Sequence, residues 1–208
     1  MALICSDRIM KDKTPSHVLR IRDDAILTLT SLDEPFFEEL SKLADCADVH
    51  FMRNIHHPRS ISISHAGDPV YHVAQLEDGQ FAYGESTRNE DIQFTFFSPD
   101  LDLVTRWLIY QAGESFRWAQ RGYASLYFPC YTYEQRPGYE LVEVEKYTYA
   151  LKTPAGQVLP FRMHDYIVND YSETVLFSYI CDIPVRDLLD SFLDPDGHPA
   201  LEAFVVEE

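Results

Sequence analysis

The side chains of this 208-residue chain that could do chemistry are its histidines, carboxylates and cysteines, and their spacing argues against a reaction centre. His50, His56, His57, His65 and His72 gather in one stretch. A zinc site takes histidines about four residues apart on a helix or about two apart on a strand. None of these pairs has that spacing, and the adjacent His56 and His57 would point to opposite faces of a strand. Glu143 and Glu145, with Glu140 nearby, share one face of a strand-like run, and Asp187 and Asp190 share a helix face. A general acid or base needs a desolvated recess to tune it, whereas both pairs read as solvated faces. Cys5, Cys46, Cys130 and Cys181 are scattered without a CxxC pair, and Cys46 and Cys181 read as small core residues. There is no GxSxG elbow, glycine-rich phosphate loop or HExxH, and eight glycines are few for a backbone phosphate cradle. The expectation is a protein with no catalytic residue, metal or cofactor, and not an enzyme.

Hydrophobic periodicity sets out the elements around these residues. "SLDEPFFEELSKLADCAD" reads as a helix with Ser31 and Glu34 at capping-box spacing. From Val49 the period changes to two, and Asp78-Gly79 marks a hairpin between strand-like runs. "DIQFTFFSP" is a further strand, and Ser98 and Pro99 suit the start of a helix over 100–113 with Gly113 as its terminator. "ESFRWAQR" reads as a second short helix ending at Gly122. Strands follow in "YELVEVEKYTYALKT", in "QVLPFRM" after a turn at Pro154-Ala155-Gly156, and in "ETVLFSYI". "PVRDLLDSFL" closes as a helix. Strand clusters interrupted by helices predict an α+β fold: one domain over 1–208, a largely antiparallel sheet with a few packed helices, and residues 1–30 loosely ordered.

Charge narrows the partners. Thirty-four acids face seventeen bases, a net of −17, and residues 165–208 alone hold eleven acids against Arg186. Such a surface repels nucleic acid and anionic lipid and steers a cationic partner. No window approaches the ~18 apolar residues of a membrane span, and "MALICSDRIMKDK" is no secretory signal, so a cytoplasmic protein is expected. "GYASLYFPCYTYEQRPGYE" places six aromatics within seventeen residues, among Arg121 and Arg136. Tyrosine and arginine are enriched at protein interfaces, and polar loops such as "GESTRNED" often carry recognition. The expected contacts are therefore Glu85, Arg88, Asn89 and Glu90 in that loop, and Tyr131, Tyr133, Gln135 and Arg136 in the tyrosine segment.

The order "EDGQFAYGESTRNEDIQFTF", "DLVTRWLIYQAGESFR", "GYASLYFP" and "LFSYICDIPVRDLLDSFLDPDGHP" resembles the immunity-factor family that neutralises NAD glycohydrolase toxins of the tuberculosis necrotizing toxin type. The likeness covers about residues 75–200. It rests on Arg88 in a hairpin loop, Gly113 and Arg117 at a helix end, and Ser178, Asp182, Pro184, Asp187, Ser191, Asp194 and Gly197 near the close. Thr105 departs from the family, whose helix often carries glutamate there. The resemblance implies a stoichiometric inhibitor that binds a cognate toxin and obstructs its NAD-binding cleft; a cleft that holds a dinucleotide's phosphates would be basic. Two other readings fit the residues: an acidic immunity protein or nucleic-acid mimic directed at a nuclease toxin, and a small hydrolase using a carboxylate pair.

Overall fold

The computed structural model describes residues 49–53, 61–65, 70–76, 78–86 and 92–206. The helix expected at 31–48 and the loose segment 1–30 lie outside these residues, as do Arg88, Asn89 and Glu90. Eight strands form one sheet in the order β1-β2-β3-β4-β5-β9-β8-β7, with every neighbouring pair antiparallel. β1 (Val49–Arg53), β2 (Ile61–His65), β3 (Val70–Gln75), β4 (Phe81–Ser86) and β5 (Gln93–Ser98) follow one another as a meander. β7 (Glu140–Glu145), β8 (Thr148–Lys152) and β9 (Arg162–His164) make a second meander, which joins through its last strand: Phe96 and Phe97 pair with Met163 and Arg162. The expected α+β class with a largely antiparallel sheet is the one observed. The hairpin at Asp78-Gly79 is also present: Gly79 has φ 85°, and the Asp78 carboxylate accepts from the Gln80 amide at 3.0 Å.

Between the meanders runs α1 (Leu101–Ala119), a single helix of 19 residues. Its cap is Asp100, whose carboxylate accepts from the Asp102 amide at 2.9 Å. Ser98 was expected to cap it; its hydroxyl instead accepts from the Asp100 amide and donates to the Pro160 carbonyl at 2.7 Å, tying the helix entry to the approach of β9. The helix passes through Gly113 without a break, so the expected terminator and separate second helix are one continuous element. A Cβ at Gly113 would collide with the Phe192 ring. This glycine is a packing notch, and its helix-propensity cost of about 1 kcal/mol admits the close approach of α3 (Val185–Leu193).

α1 lies against β3–β5 on one side and α3 on the other, so apolar residues occupy much of its circumference. Trp107 is 1% exposed and meets Tyr83 edge-on and Phe177 edge-on. Phe96 stacks on Phe161 at 5.1 Å and meets Phe177 at 5.0 Å, so the core is centred where β5, α1 and α2 (Glu173–Phe177) converge. "ETVLFSYI" was expected to be a strand; its first five residues are α2, capped by the Ser172 hydroxyl accepting from the Val175 amide. A short apolar run has no period that separates the two forms. "QVLPFRM" is strand only at Arg162–His164, because Pro160 has no amide to give the ladder. Short strands β6 (Ser125–Leu126) and β10 (Val205–Val206) pair with each other apart from the main sheet.

Candidate partner-binding surface

Three separate segments bring exposed aromatic and apolar side chains together. The first is a 3-10 turn over Thr132–Glu134, where Tyr131 and Tyr133 stack at 5.3 Å with rings only 5° apart and Tyr133 is 73% exposed. The second is the β7–β8 hairpin tip, which carries Tyr147. The third is the loop between β9 and α2, with Tyr166, Val168 and Tyr171 all exposed. The loop joins the other two. Tyr171 bridges antiparallel to Tyr131, and the Thr132 amide donates to the Asp170 carbonyl at 2.8 Å. At the loop's start the Asp165 amide donates to the Tyr147 carbonyl at 2.9 Å, and the Tyr147 and Tyr166 rings lie 5.3 Å apart.

This tyrosine terrace is held in an uncommon backbone geometry. Tyr147 (φ 58°), Asn169 (φ 52°) and Asp170 (φ 65°) are the non-glycine residues with positive φ among those described. Asparagine and aspartate tolerate the left-handed region, whereas a tyrosine there costs roughly 1–2 kcal/mol. Beneath the loop Asp165 is 3% exposed and accepts from the Ser172 hydroxyl, the Thr174 amide and the Thr174 hydroxyl, all within 2.9 Å. The start of the loop is thereby pinned to the first turn of α2, where the loop ends.

A set of carboxyls borders the terrace on its α1 side. Burial, then the charges of Asp165 and Glu85, push Glu173 up to about 7. Burial pushes Glu114 up to about 7 against the opposing charge of Arg117. Both Glu114 and Glu173 act on the half-buried Tyr110, as does Tyr171. Two carboxyls titrating near neutrality could serve acid–base chemistry. The neighbouring Cys130 thiol, however, is raised by burial and by Glu134, the wrong direction for a nucleophile. Among the described residues no three His, Cys, Asp or Glu are arranged to hold a metal ion. What the arrangement can do is present aromatic surface inside an acidic surround.

The expected contact residues divide. Tyr131 and Tyr133 are on the terrace. Gln135 is exposed, but its amide spans the Thr132 carbonyl at 2.9 Å and the Leu141 amide at 3.2 Å. Arg136 pairs with Asp182 at 2.7 Å, donates to the Ser178 carbonyl and lies 4.9 Å from the Tyr139 ring centre, so it braces the fold. Glu85 is exposed on β4, on the same face as Tyr83. Tyr147, Tyr166, Val168 and Tyr171 were not anticipated. The one local trace of them is the turn-prone Asn169-Asp170 pair, which tolerates left-handed backbone.

The family model of Immunity protein 61 matches residues 50–200. The chain belongs to the Immunity protein 61 family. Among solved structures, Rv3902c from M. tuberculosis has a similar fold, with a TM-score of 0.58 over 78% of this chain and 91% of that one at 18% identity. No curated protein matches. In this Immunity protein 61 member several of the described residues that carried the resemblance serve the scaffold. Arg117 is 5% exposed and donates to the carbonyls of Ala124, Ser191, Asp194 and Pro195, closing the C-terminal end of α3. Arg106 donates to the Ile183 carbonyl at 2.6 Å, just before α3 begins. Ser191 accepts from the Ala200 amide, and Asp194 accepts from the amides of Asp196 and His198. Burial alone would raise Asp182, but the Arg136 hydrogen bond and charge, with a bond from Tyr139, hold it below the usual range.

Proposed function

We propose that this immunity protein binds a cognate NAD(P)-hydrolysing toxin and inhibits it stoichiometrically by obstructing its active-site cleft, without catalysis of its own. Membership of an immunity-protein family makes a toxin the partner. The observation that carries the inhibitory reading is the exposed aromatic terrace in an acidic surround. Interfaces concentrate tyrosine in a desolvated centre and set charge around it. A cleft that holds a dinucleotide's phosphates must be cationic, and a chain of net −17 would be drawn to it. The NAD-directed class of toxin comes from the sequence resemblance over about residues 75–200.

The test is NAD loss catalysed by a candidate cognate NAD-hydrolysing toxin domain, measured as purified immunity protein is titrated in. Complete arrest near one equivalent is expected. Undiminished NAD loss at several equivalents contradicts the proposal. The acidic run 165–208 suits a nuclease toxin's cleft as well; that reading would appear as protection of DNA or RNA in the same titration, with no NAD hydrolysis to inhibit.

A further inference from the structure

Building on the toxin-binding reading, we infer that the toxin docks on the tyrosine terrace, with Tyr147, Tyr166, Val168 and Tyr171 at the centre of the contact, and that the toxin presents there an apolar patch carrying arginine or lysine. Three independent observations converge on these side chains. They are exposed although large and hydrophobic: Val168 is 62% and Tyr166 58% exposed. They are displayed by the residues whose backbone is left-handed without being glycine: Tyr147 itself, and Asn169 and Asp170 between Val168 and Tyr171. Asn169 and Asp170 tolerate this conformation, but Tyr147 is strained by it, and such strain persists where the surroundings fix it and clusters at functional sites. The fixing groups are the Asp165 cluster and the Thr132–Asp170 bonds at 2.8 and 3.1 Å. A surface held in shape before contact loses less entropy on binding.

Charge selects the occupant. In segments 131–134, 143–147 and 165–173 the acids outside the buried Asp165 and the raised Glu173 are Glu134, Glu143, Glu145 and Asp170, and Lys146 is the one lysine or arginine. Its ammonium lies 4.8 Å from the Tyr147 ring centre, so this ring already receives a cation on its face. A partner's guanidinium or ammonium can take up the same kind of contact, with Glu143 and Glu145 alongside. A second copy of this chain would bring the same acids face to face.

The experiment measures the affinity of the full-length protein for the toxin domain, alongside thermal unfolding. Y166S combined with V168E should weaken binding at least about thirtyfold, the hot-spot threshold of about 2 kcal/mol converted, with an unchanged melting temperature. Tyr147→Gly should weaken binding without lowering the melting temperature, because glycine relieves the left-handed strain. That combination separates recognition from a structural role. Glu145→Lys should slow association at low salt by about tenfold. If wild-type protein inhibits the toxin and the terrace variants inhibit equally well, the docking inference is wrong and the proposed function stands. If wild-type protein does not bind the toxin, the proposed function fails and the inference falls with it. Wild-type dimerisation that V168E abolishes while inhibition is retained would assign the terrace to self-association instead.

Discussion

The α1–α3 pair and the tyrosine terrace use the same residue types to opposite ends. In the helix pair, Arg117 lies 5.2 Å from the Tyr123 ring centre, is nearly sealed from water, and spends its donors on carbonyls at the end of α3. Burial lowers its pKa, opposed by Glu114, Tyr123, Asp194 and Asp196. On the terrace, Lys146 lies 4.8 Å from the Tyr147 ring centre, and the tyrosine is 43% exposed. One arrangement closes a helix end; the other leaves aromatic faces available. Of the residues on which the sequence resemblance rests, Gly113, Arg117, Ser191 and Asp194 belong to the first. Shared motifs can therefore fix the scaffold while leaving the working surface free to differ from one member to the next.

Several substitutions would break or sharpen this contrast. Arg117→Met should have the largest effect, a loss of about 3–5 kcal/mol in chemical unfolding, because buried carbonyls at the end of α3 lose a charged donor. A small loss would mean that water can replace the guanidinium and that the pair is not sealed. Gly113→Ala comes next. Its added methyl must displace the Phe192 ring, and overpacking of that kind costs about 1–3 kcal/mol, set against a propensity gain of about 1 kcal/mol. A variant more stable than wild type would show that the notch is unnecessary.

A smaller effect is expected from pH. Burial holds Glu114 and Glu173 at about 7, above the ordinary value of 4.5. Between those values the folded state keeps protons that the unfolded chain has released, so stability falls as pH rises from about 4.5 to 7 and is flat above. Linkage alone would give about 3 kcal/mol for each carboxyl; both keep some solvent contact, which screens the combined drop to on the order of 1–3 kcal/mol, and Glu114→Gln should shrink it while stabilising the protein at pH 8. Denaturant melts at pH 5.5 and 8 measure this directly, and equal stability at both would contradict the burial of these carboxyls. The smallest change is expected for Arg186→Ala, whose exposed 3.5 Å pair with Asp190 is worth below ~0.5 kcal/mol.

Legibility in the sequence followed the range of the interactions. The α+β class, the Asp78-Gly79 hairpin and the turn at Gly156 rest on contacts a few residues apart and were readable. Gly113 was misread because its reason is Phe192, far along the chain. The α2 segment was misread because five apolar-rich residues carry no period, and the carboxylate that holds its first turn, Asp165, lies outside the segment itself. Part of the terrace was readable, since Tyr131 and Tyr133 stand in a dense aromatic stretch. The larger part was not. Tyr147, Tyr166 and Tyr171 are spread over twenty-five residues, and only the β8–β9 register and the loop bridges bring them beside Tyr131.

The most direct test of separate scaffold and working surfaces is hydrogen–deuterium exchange of the protein alone and with a stoichiometric amount of the toxin domain. New protection is predicted at 131–133, 145–149 and 166–172, with exchange across 185–197 unchanged. Protection centred on 185–197, with the terrace unaffected, would contradict the account.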